Sequence, residues 1–300
     1  MATLLSRTKP DRSAFIHADT PRCGGDRLDR QNYDSVPVRI GISARASNRE
    51  LVLELAELAI NSGLDTLWLG DGLLRSKDYP GWQGGMESFV ELAWLSGRFP
   101  AARIGISAAV LPLRDIEWLA KQANTMQHMT DDNFVLAVSA GFWDREFVHR
   151  GLQAADRGTL FRQGLHDLLS ALPGNQLSPG PLTVEGPPVW LAGKKPTMNL
   201  ALELGLPYQP SRADPEMLAP IAEEWFDRGG GLLAHRVYIE AGSDPFPGHE
   251  VDRNFVSGSP QQIADAIGRF AELGVGDLSI SPGHDDASAR RTVEALAAIV

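Results

Sequence analysis

From Val38 onward the sequence alternates short apolar runs with segments of helical periodicity, and this alternation limits the possible folds more than any other feature. The apolar runs predict eight strands, over residues 38–43, 66–69, 103–109, 133–139, 188–192, 206–209, 234–240 and 277–280. Strands that alternate with helices pair in parallel through crossover connections. The chain is therefore predicted to be an α/β protein built around a parallel sheet.

Two parallel architectures compete for this pattern. Eight strand–helix units over residues 37–300 match the size of a (β/α)8 TIM barrel, which typically takes about 250 residues. A doubly wound open sheet normally carries a glycine-rich phosphate loop after its first strand. Residues 43–47 occupy that place and contain no glycine, which favours the barrel. Residues 1–36 are rich in Arg, Asp and Gly without apolar periodicity, and are predicted as an irregular N-terminal extension.

Local signals place the helix ends. Capping boxes are predicted at residues 47–50 and 259–262, and Asp214 followed by Pro215 predicts a third helix start. Residues 241–257 are rich in Gly and Pro and are predicted as a loop. The other helices are expected over residues 86–97, 115–129, 157–171, 197–204 and 286–299.

Composition excludes several classes of partner and compartment. The formal net charge is −10, which argues against binding to nucleic acid or to an anionic membrane surface, because both need clustered Lys and Arg. No apolar run is long enough to cross a bilayer. The single cysteine, Cys23, excludes an intrachain disulfide and fits a reducing compartment, so a cytoplasmic protein is expected. The sequence holds no zinc-type or P-loop motif, and no metal site is expected.

In a TIM barrel, catalytic residues lie at the C-terminal ends of the strands. The segment Gly193-Lys194-Lys195-Pro196-Thr197 follows a predicted strand and opens a helix, where free N–H groups and two lysines attract anions. It is read as a phosphate site, and a plain turn with two solvated lysines is the alternative.

Three other strand ends offer candidate residues. Ser107, Ala108 and Ala109 are small enough to leave room for a flat ligand, although they also suit a tight barrel layer. Phe142 and Trp143 could wall an apolar pocket beside Ser139 and Gly141. Asp71, at the end of the second strand, is the candidate for a polar catalytic contact. Glu146 and His149 share one face if their segment is helical, and are expected at the surface.

In this order and spacing, the motifs resemble the bacterial luciferase-like superfamily of flavin-dependent oxidoreductases over roughly residues 38–300. The segments that carry the resemblance are 63–69, 103–114 with 119–121, 134–141, Glu146-Phe147 with Gly151, Arg157-Gly158, 188–193 and 256–260. Each is modest alone, and their joint order is specific.

The resemblance implies FMN or the deazaflavin F420 across the barrel mouth. It places a non-prolyl cis peptide bond behind the flavin at Ala108-Ala109, Ser139 beside the flavin, and Gly193, Lys194 and Thr197 on its phosphate side. The segment Leu204-Gly-Leu-Pro-Tyr208 resembles the monooxygenase branches, which favours reduced FMN and molecular oxygen over F420.

The sequence also departs from the family at positions that matter for chemistry. Gly72 stands where family enzymes commonly have His, and Ala140 stands where luciferases have a phosphate-binding Arg. Asp132-Asn133 replaces the usual Gly-Arg. Lys194 or Lys195 could supply the missing charge.

Three functional hypotheses follow. The first is an FMNH2-dependent monooxygenase of a small organic substrate, with a separate flavin reductase because no NAD-binding unit is found. The second is an F420-dependent hydride-transfer oxidoreductase, and the third is a flavin-binding partner subunit with reduced chemistry. By resemblance, a homodimer is expected through the helices that carry Trp94 and Trp118.

Overall fold

The computed structural model describes residues 38–44, 48–74, 86–174, 176–211, 213–242 and 255–299. Within them, the strands are β1 (Arg39–Ser43), β2 (Thr66–Leu69), β3 (Arg103–Val110), β4 (Phe134–Ser139), β5 (Val189–Ala192), β6 (Tyr208–Gln209), β7 (Leu233–Ala241), β8 (Phe255–Gly258) and β9 (Val275–Pro282). The α-helices are α1 (Arg49–Asn61), α2 (Ser88–Arg98), α3 (Ile116–Met129), α4 (Asp144–His149), α5 (Arg157–Ala171), α6 (Lys195–Leu204), α7 (Pro215–Asp227), α8 (Pro260–Glu272) and α9 (Asp286–Ala297). The predicted extension, residues 1–36, lies outside the described residues.

Eight parallel strands close into a barrel, and the predicted (β/α)8 fold is confirmed. Neighbouring strands follow the order β1 to β7 and then β9, which pairs back onto β1. The β6–β7 contact that completes the ring is short, with Tyr208 opposite Leu233. Helices between the strands pack their apolar faces against the outside of the barrel. None of the described helices is both long and apolar enough to cross a membrane.

Two sequence predictions need correction, and one segment without a prediction is now assigned. Residues 255–257 fell in the predicted loop, but Phe255–Gly258 form β8, which pairs in parallel with Tyr238–Ala241 beside the barrel. Helix α1 is capped by Asn48, whose side chain accepts from the Leu51 N–H, so α1 begins one residue later than the capping box expected at residues 47–50 would place it. Ser47 itself lies outside the described residues. Residues 144–149, which were given no definite structure, form α4. The box at Ser259 and the Asp214 cap are confirmed.

Two tryptophans fill the interior of the barrel. Trp68 and Trp190 lie 5.4 Å apart between ring centroids, and both are almost completely buried. The Arg103 guanidinium lies over both rings, at 5.7 and 5.2 Å, and pairs with the buried carboxylate of Asp277. Burial raises the pKa of Asp277 although the Arg103 charge opposes that rise.

Two glycines make room for these rings. The pentapeptide Arg-Ile-Gly-Ile-Ser occurs in both β1 and β3, and its glycines, Gly41 and Gly105, face Trp68. A Cβ atom at Gly105 would lie 2.1 Å from the Trp68 ring, and one at Gly41 would lie 2.6 Å from its Nε1. The large residue on β2 therefore requires glycine on both neighbouring strands.

We predict that Gly105→Ala destabilises the barrel by roughly 1–3 kcal/mol or more, because its methyl group overlaps a tryptophan ring that has no space to move. The measurement is urea unfolding monitored by tryptophan fluorescence. Gly268→Ala, on the exposed side of α8 with nothing within 4 Å of the new Cβ, is the matched control and should be neutral or slightly stabilising. Equal stability of the two variants would contradict the packing argument.

Candidate active site

A large cleft opens at the C-terminal ends of the strands from β2 to β7. Its volume is about 1430 Å³, which exceeds the roughly 300–1,000 Å³ of a typical small-molecule pocket. Eleven of the predicted site residues line it: Asp71, Ser107, Ala108, Ser139, Gly141, Phe142, Trp143, Gly193, Lys194, Lys195 and Thr197. Ala109 does not, because it is fully buried in the core between the barrel and its helices.

The floor of the cleft contains a cis peptide bond between Ser107 and Ala108. The expected position was Ala108-Ala109, so the bond lies one residue earlier, where the register of β3 against β4 shifts between Ile106 and Ala109. The Ser107 hydroxyl donates to Gln209 Oε1 at 2.7 Å, and its carbonyl accepts from Arg236 Nη1 at 2.5 Å. The side chains of Gln209 on β6 and Arg236 on β7 thus hold the hydroxyl group and the carbonyl group of Ser107.

The N-terminus of α6 forms one side of the cleft. Lys194 is the N-cap residue, and helix α6 has no acidic residue in its first turn to offset the positive end of the helix. Gly193 is required here because a Cβ atom would lie 2.4 Å from the Thr197 hydroxyl oxygen. The two lysines differ: Lys195 Nζ donates to Glu224 at 2.8 Å, whereas Lys194 has no ion-pair partner among the described residues.

Tyr208 joins this side of the cleft to the barrel. Its hydroxyl donates to the Gly193 carbonyl at 2.8 Å, which fixes the turn before α6. Burial raises the pKa of Tyr208, and the nearby Glu224 charge adds to the effect. The phenol therefore stays protonated and keeps this hydrogen bond at any physiological pH.

The loop after β4 carries the aromatic residues. Gly141 has φ +75°, and a Cβ there would lie 2.6 Å from Val110, so glycine is needed at this turn. Phe142 is 62% exposed at the rim. Arg157 donates to the Gly141 carbonyl at 3.2 Å and pairs with Asp144. A guanidinium therefore does reach the loop that lacks an arginine at Ala140, but a carboxylate already balances it.

Asp71 is surrounded by donors. Its carboxylate accepts from Arg114 Nη2 at 2.7 Å and Nε at 2.8 Å, from the Val110 N–H at 2.9 Å and from the Ser88 hydroxyl at 3.3 Å. Burial alone would lower the pKa of Arg114, but the hydrogen bonds and charges of Asp71 and Glu87 outweigh it and raise that pKa. This geometry suits a residue that holds β2, β3 and the Leu111–Leu113 turn together.

Glu146 joins the two loops that border the cleft. It was expected at the surface, but it is 4% exposed, and its Oε1 accepts from the Leu73 N–H at 2.6 Å and the Leu74 N–H at 3.1 Å. The correction follows from tertiary structure, because α4 turns this residue toward the end of β2. His149, on the same helix, is exposed as expected.

From the sequence alone, no role was assigned to two cleft residues that come from the later strands, Arg236 and Gln209. Arg236 lies on β7 and lines the cleft. The only signal for it in the sequence is a charged residue within an otherwise apolar strand. Gln209 is 1% exposed, and its Nε2 has no hydrogen-bond partner in the described chain. Among the residues that the structure describes, no three or more potential metal ligands lie together in a cluster.

A (β/α)8 barrel with its cleft at the C-terminal mouth defines the class of protein. Residues 35–229 match the family model described as luciferase-like monooxygenase, so the chain belongs to that family, and the resemblance seen in the sequence is confirmed. No curated protein shows a significant match to the sequence.

Solved structures share the fold at low sequence identity. Monooxygenase RslO1 from Streptomyces bottropensis has a TM-score of 0.73 at 13% identity, over 88% of this chain and 98% of its own. The oxygenating constituent of 3,6-diketocamphane monooxygenase from Pseudomonas putida, in complex with FMN, scores 0.68 at 13% identity over 87% and 97%. An F420-dependent secondary alcohol dehydrogenase, in complex with an F420-acetone adduct, scores 0.69 at 14% identity over 88% and 98%.

We predict that Glu146→Ala frees the loop after β2, because the Leu73 and Leu74 N–H groups lose a charged acceptor, and hydrogen bonds to charged groups are worth roughly 1.5–3 kcal/mol each. Hydrogen exchange of the Leu73 and Leu74 amides should speed up by at least about tenfold, while amides in the barrel strands stay protected. Glu146→Gln keeps an acceptor oxygen and should behave nearly as wild type, and His149→Ala controls for changes in α4. Unchanged protection in Glu146→Ala would contradict the assignment.

Proposed function

We propose that this protein is a flavin-dependent monooxygenase that uses reduced FMN and molecular oxygen on a small organic substrate. One observation carries the proposal: a single cleft combines a floor of small residues at Ser107 and Ala108 with an unpaired cation, Lys194, at a helix N-terminus. A flat ring system fits the first feature, and a phosphate group fits the second.

The described residues divide into those that would hold the ring system and those that would hold the phosphate. Ser107, Ala108, Ser139 and Gly141 supply the surface for the isoalloxazine, and Ala109 supports it from behind. Gly193, Lys194 and Thr197 would receive the phosphate, with Lys195 as a weaker contributor because Glu224 already neutralises it. When bound, reduced FMN supplies the electrons that activate oxygen.

The protein would contribute orientation and exclusion of water. Phe142 and Trp143 supply apolar surface on one side of the cleft, where the substrate would lie. Water excluded from such a site cannot divert a reactive oxygen species. Asp71 would act through position, because its carboxylate joins the end of β3, at the Val110 N–H, to Arg114 and to the Ser88 hydroxyl. Glu146 would hold the opposite loop in place.

FMN is favoured over F420 by charge. F420 carries a glutamate tail with several carboxylates, whereas the α6 side of the cleft offers one unpaired cation within the described residues. The F420-dependent alcohol dehydrogenase shares the fold, so hydride transfer with F420 is the second candidate function.

A separate flavin reductase would supply the reduced cofactor. The 3,6-diketocamphane enzyme is described as an oxygenating constituent, which implies a partner for reduction in that system. The same division of labour is proposed here.

We also propose a homodimer through α2 and α3. Trp118 is 63% exposed and Val90 is 69% exposed, on two helices that pack against each other, and exposed large apolar residues on neighbouring elements are typical of a protein interface. Trp94 is partly buried against the core, with the Arg49 guanidinium 5.8 Å from its ring, so Trp118 is the more exposed of the two candidate tryptophans.

We predict that Lys194→Met weakens FMN binding roughly fivefold, on the order of 1 kcal/mol for a partly exposed charge pair, and leaves riboflavin binding unchanged. Flavin fluorescence quenching measures both affinities, and Lys194→Arg is the control that keeps the charge. An equal loss for riboflavin would refute the phosphate assignment. Tighter binding of F420 than of FMN by the wild type would overturn the choice of cofactor.

We predict that Trp118→Glu converts the protein to a monomer, because a charge placed in an apolar interface loses its hydration without gaining a partner. Sedimentation velocity measures the change. Leu204→Glu, at an exposed position on α6, which follows β5 on another side of the barrel, should leave the wild-type mass unchanged. A monomeric wild-type protein would refute the dimer.

A further inference from the structure

We propose that Arg236 is the receptor for a carboxylate group of the substrate, so that the substrate is a small organic anion. The inference rests on the proposed function, since it names the substrate class for the same cleft. It starts from the charges that line the cleft and from which of them the protein itself neutralises.

The cleft is lined by five cationic side chains, and three of them are already paired. The pairs are Arg157 with Asp144, Arg162 with Glu203 at 3.6 Å, and Lys195 with Glu224 at 2.8 Å. The lining carboxylates are engaged as well: Asp71 binds Arg114, Glu146 binds two backbone N–H groups, and Glu224 binds Lys195. Two cations remain without a carboxylate within the described residues, Lys194 and Arg236.

The two unpaired cations lie in different parts of the cleft. Lys194 is exposed at the start of α6, where the phosphate of the cofactor is proposed to bind. Arg236 is half-buried on β7 and donates to the Ser107 carbonyl in the floor. One cofactor phosphate accounts for the first cation and leaves the second without a counterpart.

Arg236 is held in place by the segment that follows β6. Its backbone N–H donates to the Pro210 carbonyl at 3.1 Å. The neighbouring His235 is fully buried, with its ring nitrogens 3.0 Å from the Pro210 oxygen and 2.8 Å from the Ala213 oxygen. Burial lowers the pKa of His235 to about 4, although its contacts with the two backbone carbonyls oppose that shift.

The chemistry of the free donors points to a carboxylate. A guanidinium has five N–H groups in a planar fork, and the Ser107 carbonyl accepts from one nitrogen of Arg236 only. The remaining N–H groups match the two oxygens of a carboxylate in bidentate geometry. The buried Gln209 Nε2 is a further donor without an acceptor in the described chain, and Gln209 is linked to Arg236 through Ser107. A single arginine balances one negative charge, which suits a carboxylate better than a phosphate dianion.

The volume of the cleft allows a second molecule beside the cofactor. At about 1430 Å³ it exceeds the upper end of the usual range for one small ligand. Phe142 and Trp143 would contact the apolar part of the substrate while Arg236 binds its carboxylate.

The test uses three carboxylates and their primary amides: phenylacetate, indole-3-acetate and octanoate. Each is titrated into the FMN-loaded full chain and into the chain without flavin, with binding followed by calorimetry. At least one acid should bind the FMN-loaded wild type about tenfold more tightly than its amide, because a charge-assisted bidentate pair is lost in the amide. If no acid binds more tightly than its amide, the proposal is overturned.

Three variants locate the preference. Arg236→Met should abolish the acid–amide difference by weakening only the acid, and Arg236→Lys should retain part of it. Arg162→Met removes an exposed, paired arginine from the same cleft and should keep the full difference. An undiminished preference in Arg236→Met would refute the assignment. So would a loss of FMN affinity in that variant with the acid preference intact, because Arg236 would then serve the cofactor.

Failure of this proposal differs from failure of the proposed function. If the wild type binds neither FMN nor F420, the flavoenzyme function is wrong whatever the acids do. If FMN binds and the acids show no preference over the amides, only the assignment of an anionic substrate is wrong.

Discussion

The interior of the barrel depends on one packed unit, the cluster of Trp68, Arg103 and Trp190 with Asp277 as the counter-charge. A buried guanidinium without a partner would cost several kcal/mol, and here both a carboxylate and two aromatic faces compensate it. The unit fits only because β1 and β3 contribute glycine beside Trp68. These residues fill the barrel below its mouth, and a ligand can therefore enter only from the C-terminal side.

The shape of the cleft follows from the same packing. Side chains that face the barrel interior alternate along each strand, so the residue two positions beyond a large one lies directly above it. Ala192 follows Trp190 in this way, and Ser107 and Ser139 follow Gly105 and Ala137, which lie beside the tryptophan rings. A layer of large rings is thus covered by a layer of small residues. This sequence of sizes produces a flat floor, and Arg236 and Gln209 then add the polar groups of that floor.

The barrel and most of the strand ends were predictable from the sequence because both depend on local periodicity. Helix α6 illustrates this: a strand, a glycine, two lysines and a proline are enough to place a helix N-terminus at the mouth. The role of Glu146 was not predictable, since the N–H groups that donate to it lie more than seventy residues away, on the loop after β2. Strand β8 was also missed, because its pairing with Tyr238–Ala241 overrides a weak local preference next to a Gly/Pro-rich segment. Periodicity reports which face of an element is buried, and it does not report which distant group that face meets.

Whether a charged group in the cleft is already paired distinguishes structural residues from ligand-binding residues better than the residue type does. Asp71 has the position of a catalytic acid or base, yet its carboxylate already accepts four hydrogen bonds that hold β3 and Arg114. Arg157 lies near the place of the arginine missing at Ala140, but Asp144 neutralises it. A charge that is already paired within the protein adds little to the binding of a charged ligand. Asp71 and Arg157 therefore shape the site and are not assigned to ligand recognition. Lys194 and Arg236 are the lining cations that the described part of the chain leaves without a carboxylate, and ligand recognition is assigned to them for that reason.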